Sequence, residues 1–174
     1  MAVEQMTACG GGADATWLAT TDRELERLKY FRHAVPEAVN LLIDERRKTV
    51  PGLPKLGTDM AVPDAALERV WALYHEGLAR HGLDYVIFGH VGNNHLHVNI
   101  LPRTLAEYET GKSLYLEWAE AIVGMGGTVS AEHGIGKFKV ALLQTLYGAE
   151  GVAQMRAVKR AFDPEGLLNR GNLF

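Results

Sequence analysis

Three of the chain's seven histidines, His90, His95 and His97, fall within one short stretch, Gly89-His90-Val91-Gly92-Asn93-Asn94-His95-Leu96-His97. Imidazole ligates metals and titrates near neutrality, so clustered histidines suit metal binding or proton transfer. Asn tolerates positive φ, and Asn93-Asn94 therefore reads as the two-residue loop of a β-hairpin. That register sets Gly92 opposite His95, Val91 opposite Leu96 and His90 opposite His97. Opposed side chains share a face with Cβ atoms about 4.5–5.5 Å apart. Two imidazoles so placed can both reach one metal at about 2.0–2.1 Å, and His95 shares their face by alternation. Glu132, in Glu132-His133-Gly134-Ile135-Gly136, could complete a two-His, one-carboxylate site with open positions, the pattern of a catalytic metal. His133 would then stand beside it as a general base, and Gly134 and Gly136 would allow a tight turn into a helix. The GIGK run lacks the spacing and the Ser or Thr of a phosphate loop, and no strand precedes Gly10-Gly11-Gly12, so neither reads as a nucleotide site. On residue types alone, an ordinary histidine-bearing strand remains an alternative.

The elements that must position these residues follow from periodicity. Met1–Ala8 reads as a short helix, and the glycines from Gly10 to Gly12, followed by Ala13-Asp14, read as a break. A helix opens at Thr21-Asp22 with Leu25, Leu28 and Phe31 at helical spacing, and continues beyond Pro36 through Val39, Leu42 and Ile43. TVPGLPKLG reads as a loop. Residues near Met60 are extended, and Pro63-Asp64 starts a helix carrying Val70, Leu73 and Leu78. Tyr85–Phe88 and His95–Ile100 are strands. Leu105–Val123 is helical, Thr128–Ser130 reads as a third strand, and helices follow Gly136 and span 149–162. His33, His75 and His81 are expected on helix surfaces, and Trp17, Trp71 and Trp118 in a core or an interface. Interleaved helices and strands with a hairpin point to an α+β domain, an antiparallel sheet with helices packed on it.

The composition is that of an ordinary soluble domain: 174 residues, 47% hydrophobic and 22% charged, which excludes general disorder. A formal charge of -3 offers no basic excess for nucleic acid. Cys9 is the only cysteine, so an intrachain disulfide and a thiolate metal cluster are both excluded. No signal peptide is evident, and apolar runs such as Tyr85–Phe88 fall far short of the roughly 20 residues that span a bilayer. The expected location is cytoplasmic.

GHVGNNHLHVN, AEHGIGKFK and FDPEGLLNRGNLF, in this order and spacing, resemble the C-terminal domain of FAD-linked oxidases. The resemblance is to the glycolate oxidase, D-lactate dehydrogenase and D-2-hydroxyglutarate dehydrogenase group, flavoproteins of the vanillyl-alcohol oxidase type. It covers 22–174, leaving 1–21 as a partial, truncated N-terminal segment, with the FAD-binding domain absent from the chain. The resemblance implies a ferredoxin-like cap domain with helices on one face of its sheet. It implies His90, His97 and Glu132 as ligands of a divalent metal, zinc being the first choice, and His133 as the catalytic base. It further implies that Arg32 and Asn99 bind substrate and that Asn169 approaches the FAD. Lys139 matches a basic position of the family to which no role is attached. Two segments depart from the family pattern: Asn93-Asn94-His95 stands where the family has Asp-Gly-Asn, and Gly57 stands where it often has a basic residue.

The implied activity is oxidation of a D-2-hydroxy acid such as D-lactate, glycolate or D-2-hydroxyglutarate, with hydride passing to FAD and a metal assisting deprotonation of the hydroxyl. The implied partners are the small acid, an FAD-binding domain and an electron-acceptor protein, with a homodimer as a further expectation. Two alternatives use the same residues differently: a metal-dependent hydrolase, and a non-catalytic cap or assembly subunit of a flavoprotein.

Overall fold

The computed structural model describes residues 2–12, 14 and 16–173. Met1, Ala13, Ala15 and Phe174 lie outside the described residues, and with them the first residue of the expected N-terminal helix, one residue of the break and the last of the tail. The chain divides into two compact units, Met1–Leu42 and Ile43–Phe174.

The first unit contains α1, Ala2–Ala8, and most of α2, Asp22–Thr49, which runs unbroken through Pro36. Reciprocal capping starts α2: the Glu24 N–H donates to the Thr21 hydroxyl (3.3 Å), while the Glu24 carboxylate accepts the Thr21 N–H (3.1 Å). Trp17 packs against Phe31 with ring centroids 5.9 Å apart, and Arg27 lies over the Trp17 ring.

The second unit is an antiparallel sheet with helices on its apolar face. Its elements are β1 (Leu56–Gly57), β2 (Met60–Ala61), α3 (Leu67–His81), β3 (Tyr85–His90), β4 (His95–Ile100), α4 (Leu105–Gly124) and α5 (Val140–Phe162). β4 is central, with β3 on one edge and both β1 and β2 on the other. Leu56 pairs with Ile100, Gly57 with Asn99, Met60 with Leu96 and Ala61 with His95, so one register runs through both short strands. Thr58 and Asp59, which interrupt them, fall opposite Val98 and His97.

Alternation along β4 separates two kinds of chemistry. Leu96, Val98 and Ile100 enter the core with Val70, Tyr74 and Leu78 of α3 and with Leu114, Trp118 and Ile122 of α4. His95, His97 and Asn99 take the opposite face. No described helix is long and apolar enough to cross a membrane.

Several expectations change. The hairpin loop is longer than Asn93-Asn94: Val91–Asn93 form a 3₁₀ turn and Asn94 closes it in the left-handed region, φ 50°. The register moves by two residues, so His90 pairs with His95, and Phe88 takes the place opposite His97. A shift of two keeps every side chain on its expected face, whereas a shift of one would have inverted the hairpin. The expected strand at Thr128–Ser130 is a single bridge from Thr128 to Ala61. The final helices join as α5 across a kink at Gly148 (φ 67°, ψ 176°). His75 is half-buried, its Nδ1 2.9 Å from the Tyr85 hydroxyl, because α3 packs that turn against β3. Trp118 is fully buried, and Trp17 and Trp71 are about half exposed.

Candidate metal centre

The polar face of the hairpin and the loop after α4 meet at the Glu132 carboxylate. His97 Nε2 lies 3.0 Å from Glu132 Oε1, and His90 Nε2 lies 3.5 Å from Oε2. His133 Nε2 is 3.2 Å from Oε1. His97, Glu132 and His133 lie close enough to one another to share an ion, a group that does not include His90; His133 stands beside Glu132 as expected. The hydrogen bond with His97 holds the Glu132 carboxyl below the usual carboxylate range, against a smaller opposing effect of burial, with further help from His95, His90 and His133.

His97 is oriented from behind. Its Nδ1 lies 2.9 Å from the Thr58 carbonyl. A carbonyl can only accept, so Nδ1 carries the hydrogen and donates it. In a neutral ring this leaves the lone pair on Nε2, facing a carboxylate oxygen at 3.0 Å. Two acceptors that close require a cation between them, either a proton or a metal ion. In a metal shell with bonds of about 2.0–2.1 Å, neighbouring donor atoms sit roughly 2.9–3.4 Å apart. The spacings of His97 (3.0 Å) and His133 (3.2 Å) from Glu132 fall in that range, whereas that of His90 (3.5 Å) lies outside it, and the Thr58 carbonyl makes the outer-shell contact typical of a ligating histidine. The donor set therefore fits a divalent ion such as zinc.

The Glu132 loop is anchored by Asp59, which is only 2% exposed. Its Oδ2 accepts from the Ser130 hydroxyl (2.8 Å), the His133 N–H (3.1 Å) and the Lys139 ammonium (2.7 Å). Its Oδ1 accepts from the Glu132 N–H (3.2 Å), and its carbonyl from the Ala131 N–H (2.9 Å). Burial alone would raise the Asp59 pKa. The bonds from Lys139, Ser130 and His133 outweigh it and hold the carboxyl far below its ordinary value. His95 Nε2 lies 3.2 Å from Asp59 Oδ1. Burial, followed by the neighbouring His97, pushes the His95 pKa down, with Asp59 and Glu132 opposing. Asp59, His95 and His97 also lie close enough to hold an ion. There Asp59 Oδ2 already takes three donors, the Lys139 ammonium among them, whereas Oδ1, among the described residues, takes only the Glu132 N–H.

Asn99 is buried on the histidine face, opposite Gly57; a Cβ added at residue 57 would come within 3.1 Å of Asn99 Oδ1. Arg32 belongs to the first unit, where it is exposed on α2. Asn169 is exposed in the tail with φ 50°, and its carbonyl accepts from the Asn172 N–H. The tail returns toward the site loop, where the Leu173 N–H donates to the Gly136 carbonyl (3.3 Å).

Sequence reasoning missed Thr58 and Asp59 as parts of the site, along with Ser130, and left Lys139 without a role. The available signal was a carboxylate in the middle of the otherwise uncharged run Leu56–Val62, where burial demands a partner.

The family model for FAD linked oxidases, C-terminal domain, matches residues 2–173. A D-lactate dehydrogenase of Archaeoglobus fulgidus is 30% identical over 93% of this chain and 34% of its own length. Glycolate oxidase subunit GlcD of Bacillus subtilis is 30% identical over 76% of this chain and 30% of its own. A D-2-hydroxyglutarate dehydrogenase of Xanthomonas citri pv. viticola is 30% identical over 90% of this chain and 32% of its own. The chain thus spans about a third of the length of these curated relatives. With the match running from one end of the chain to the other, the protein belongs to the family of FAD-linked oxidase C-terminal domains.

Proposed function

We propose that this chain is the substrate-handling domain of an FAD-dependent 2-hydroxy acid dehydrogenase or oxidase, working with an FAD-binding domain. The observation that carries the reading is the ring of imidazole nitrogens 3.0–3.5 Å from one carboxylate. In this reading His90, His97 and Glu132 hold a divalent ion, zinc being favoured by the nitrogen-rich donor set. A bound ion would supply Lewis acidity to the substrate hydroxyl, and FAD would accept hydride from the carbon bearing it.

The protein's own groups do the rest. His133, its side chain 65% exposed beside Glu132, takes the hydroxyl proton on its imidazole nitrogen. Arg32 pairs its guanidinium fork with the substrate carboxylate. Asn99 offers its amide to the substrate from the floor of the hairpin face. Asn169 approaches the flavin from the tail. Exposed Phe138, Phe162, Leu167 and Leu168 would be available for an apolar contact with a neighbouring domain. An electron-acceptor protein would reoxidise the flavin.

The test is turnover of D-lactate, glycolate and D-2-hydroxyglutarate with an artificial acceptor dye, using protein that carries its FAD-binding domain. His133→Ala is expected to lower kcat about 10²–10⁴-fold with the flavin spectrum unchanged. Wild-type turnover in that variant would overturn the assignment.

A further inference from the structure

The break between β1 and β2 falls opposite the residue that most needs orienting. At an ordinary ladder position Thr58 would use its own N–H and carbonyl to pair with Val98. The Thr58 N–H does donate to the Val98 carbonyl (2.9 Å), but the return bond is different. The Val98 N–H donates to the Thr58 hydroxyl at 2.9 Å, and that hydroxyl donates onward to the Leu96 carbonyl at 3.3 Å. The side chain thus takes over the pairing duty of its own backbone. The displaced carbonyl turns to His97 and accepts from Nδ1. Thr58 is 3% exposed, so water does not substitute for either contact.

We propose that Thr58 is a positioning residue: its hydroxyl replaces its carbonyl in the sheet so that the carbonyl can hold the Nδ1–H of His97 and present Nε2 to Glu132. Asp59, the next residue, ties down the loop carrying Glu132 and His133, so adjacent residues align the two halves of the site. A valine at 58 has the same shape but no hydroxyl. The Val98 N–H then lacks an acceptor, the carbonyl is drawn back into the ladder, and His97 loses its anchor. Serine retains the hydroxyl and with it the arrangement.

The metal part of this inference rests on the proposed function; the tautomer part does not. Side-chain nitrogen NMR of the 174-residue chain without metal, at alkaline pH, reads the tautomer directly. Wild type and Thr58→Ser are expected to carry the His97 hydrogen on Nδ1. Thr58→Val is expected to move toward the Nε2–H form that free imidazole side chains prefer. Zinc titration of the same samples is expected to show about 10–100-fold weaker binding in Thr58→Val and near-wild-type binding in Thr58→Ser. An Nε2–H tautomer in the wild type overturns the proposal without any variant, so it survives a Thr58→Val chain that fails to fold. An unchanged Nδ1–H tautomer in folded Thr58→Val overturns it as well. If the tautomers follow expectation and wild type binds no zinc, the metal reading falls and the positioning role of Thr58 stands.

Discussion

Replacing Lys139 with methionine tests how the Glu132 loop is held. Methionine keeps most of the length and packing of the lysine stem while removing the ammonium. Lys139 Nζ sits 2.7 Å from Asp59 Oδ2, and the two side chains are 17% and 3% exposed. Removing one partner of a buried pair costs about 3–5 kcal/mol, because the remaining charge stays desolvated. Asp59 would retain the Ser130 hydroxyl and the N–H groups of Glu132 and His133, and the lysine is not wholly buried. The expected loss is therefore at or below the lower end of that range, about 2–3 kcal/mol. Urea denaturation should show it as a midpoint lowered by roughly 1 M, at a slope of about 2 kcal/mol per molar. Amide exchange supplies a local readout: protection at Glu132 and His133 should fall before protection in α4. A loss below about 0.5 kcal/mol, or loop amides as protected as in wild type, would show that the carboxylate does not depend on Lys139.

Other expected outcomes concern the hairpin and the tail. A Cβ at Gly89 would lie 2.2 Å from the His95 carbonyl oxygen and 3.1 Å from Leu96 Cα, where backbone cannot yield cheaply. Gly89→Ala should cost about 3 kcal/mol and lower Tm by roughly 6–12 °C; an unchanged Tm would refute the close approach beside His90. The Asp163 carboxyl is held below its ordinary pKa first by Lys159, against burial, with the N–H groups of Leu167 and Leu168 adding to the effect. A depressed folded-state pKa means that its contribution is full above the unfolded value of about 3.9 and is lost as pH falls through the lower folded value. Amide protection factors at Leu167 and Leu168 should therefore hold at pH 5 and drop below about pH 4. In Asp163→Asn they should already be low at pH 5.

The strand carrying His95 and His97 was legible because its period-two pattern survives in the sequence: Leu96, Val98 and Ile100 are apolar and their neighbours polar. The hairpin register was not legible. Asn93 and Asn94 are equally good candidates for positive φ, and only the 3₁₀ turn over Val91–Asn93 shows that Asn94 alone adopts it. A two-residue shift preserves faces, so His90, His95 and His97 stay on one side of the hairpin, but His95 and not His97 stands opposite His90. Thr128–Ser130 looked like a strand by residue type, yet only Thr128 finds a ladder partner. Strand propensity is a fit to neighbours, which a local reading does not see.

Residue types and spacing alone determined the α+β class, the hairpin, the set of imidazoles with their carboxylate, and the family resemblance, since periodicity and short motifs are local properties. Tertiary structure alone decided that Asp59 and Lys139 form the buried support of the site, and that the Thr58 hydroxyl and carbonyl exchange roles. Lys139 lies 80 residues from Asp59 along the chain, and His97 lies 39 from Thr58. No local pattern links residues so far apart; burial made each of these groups find a partner, and the fold chose which one.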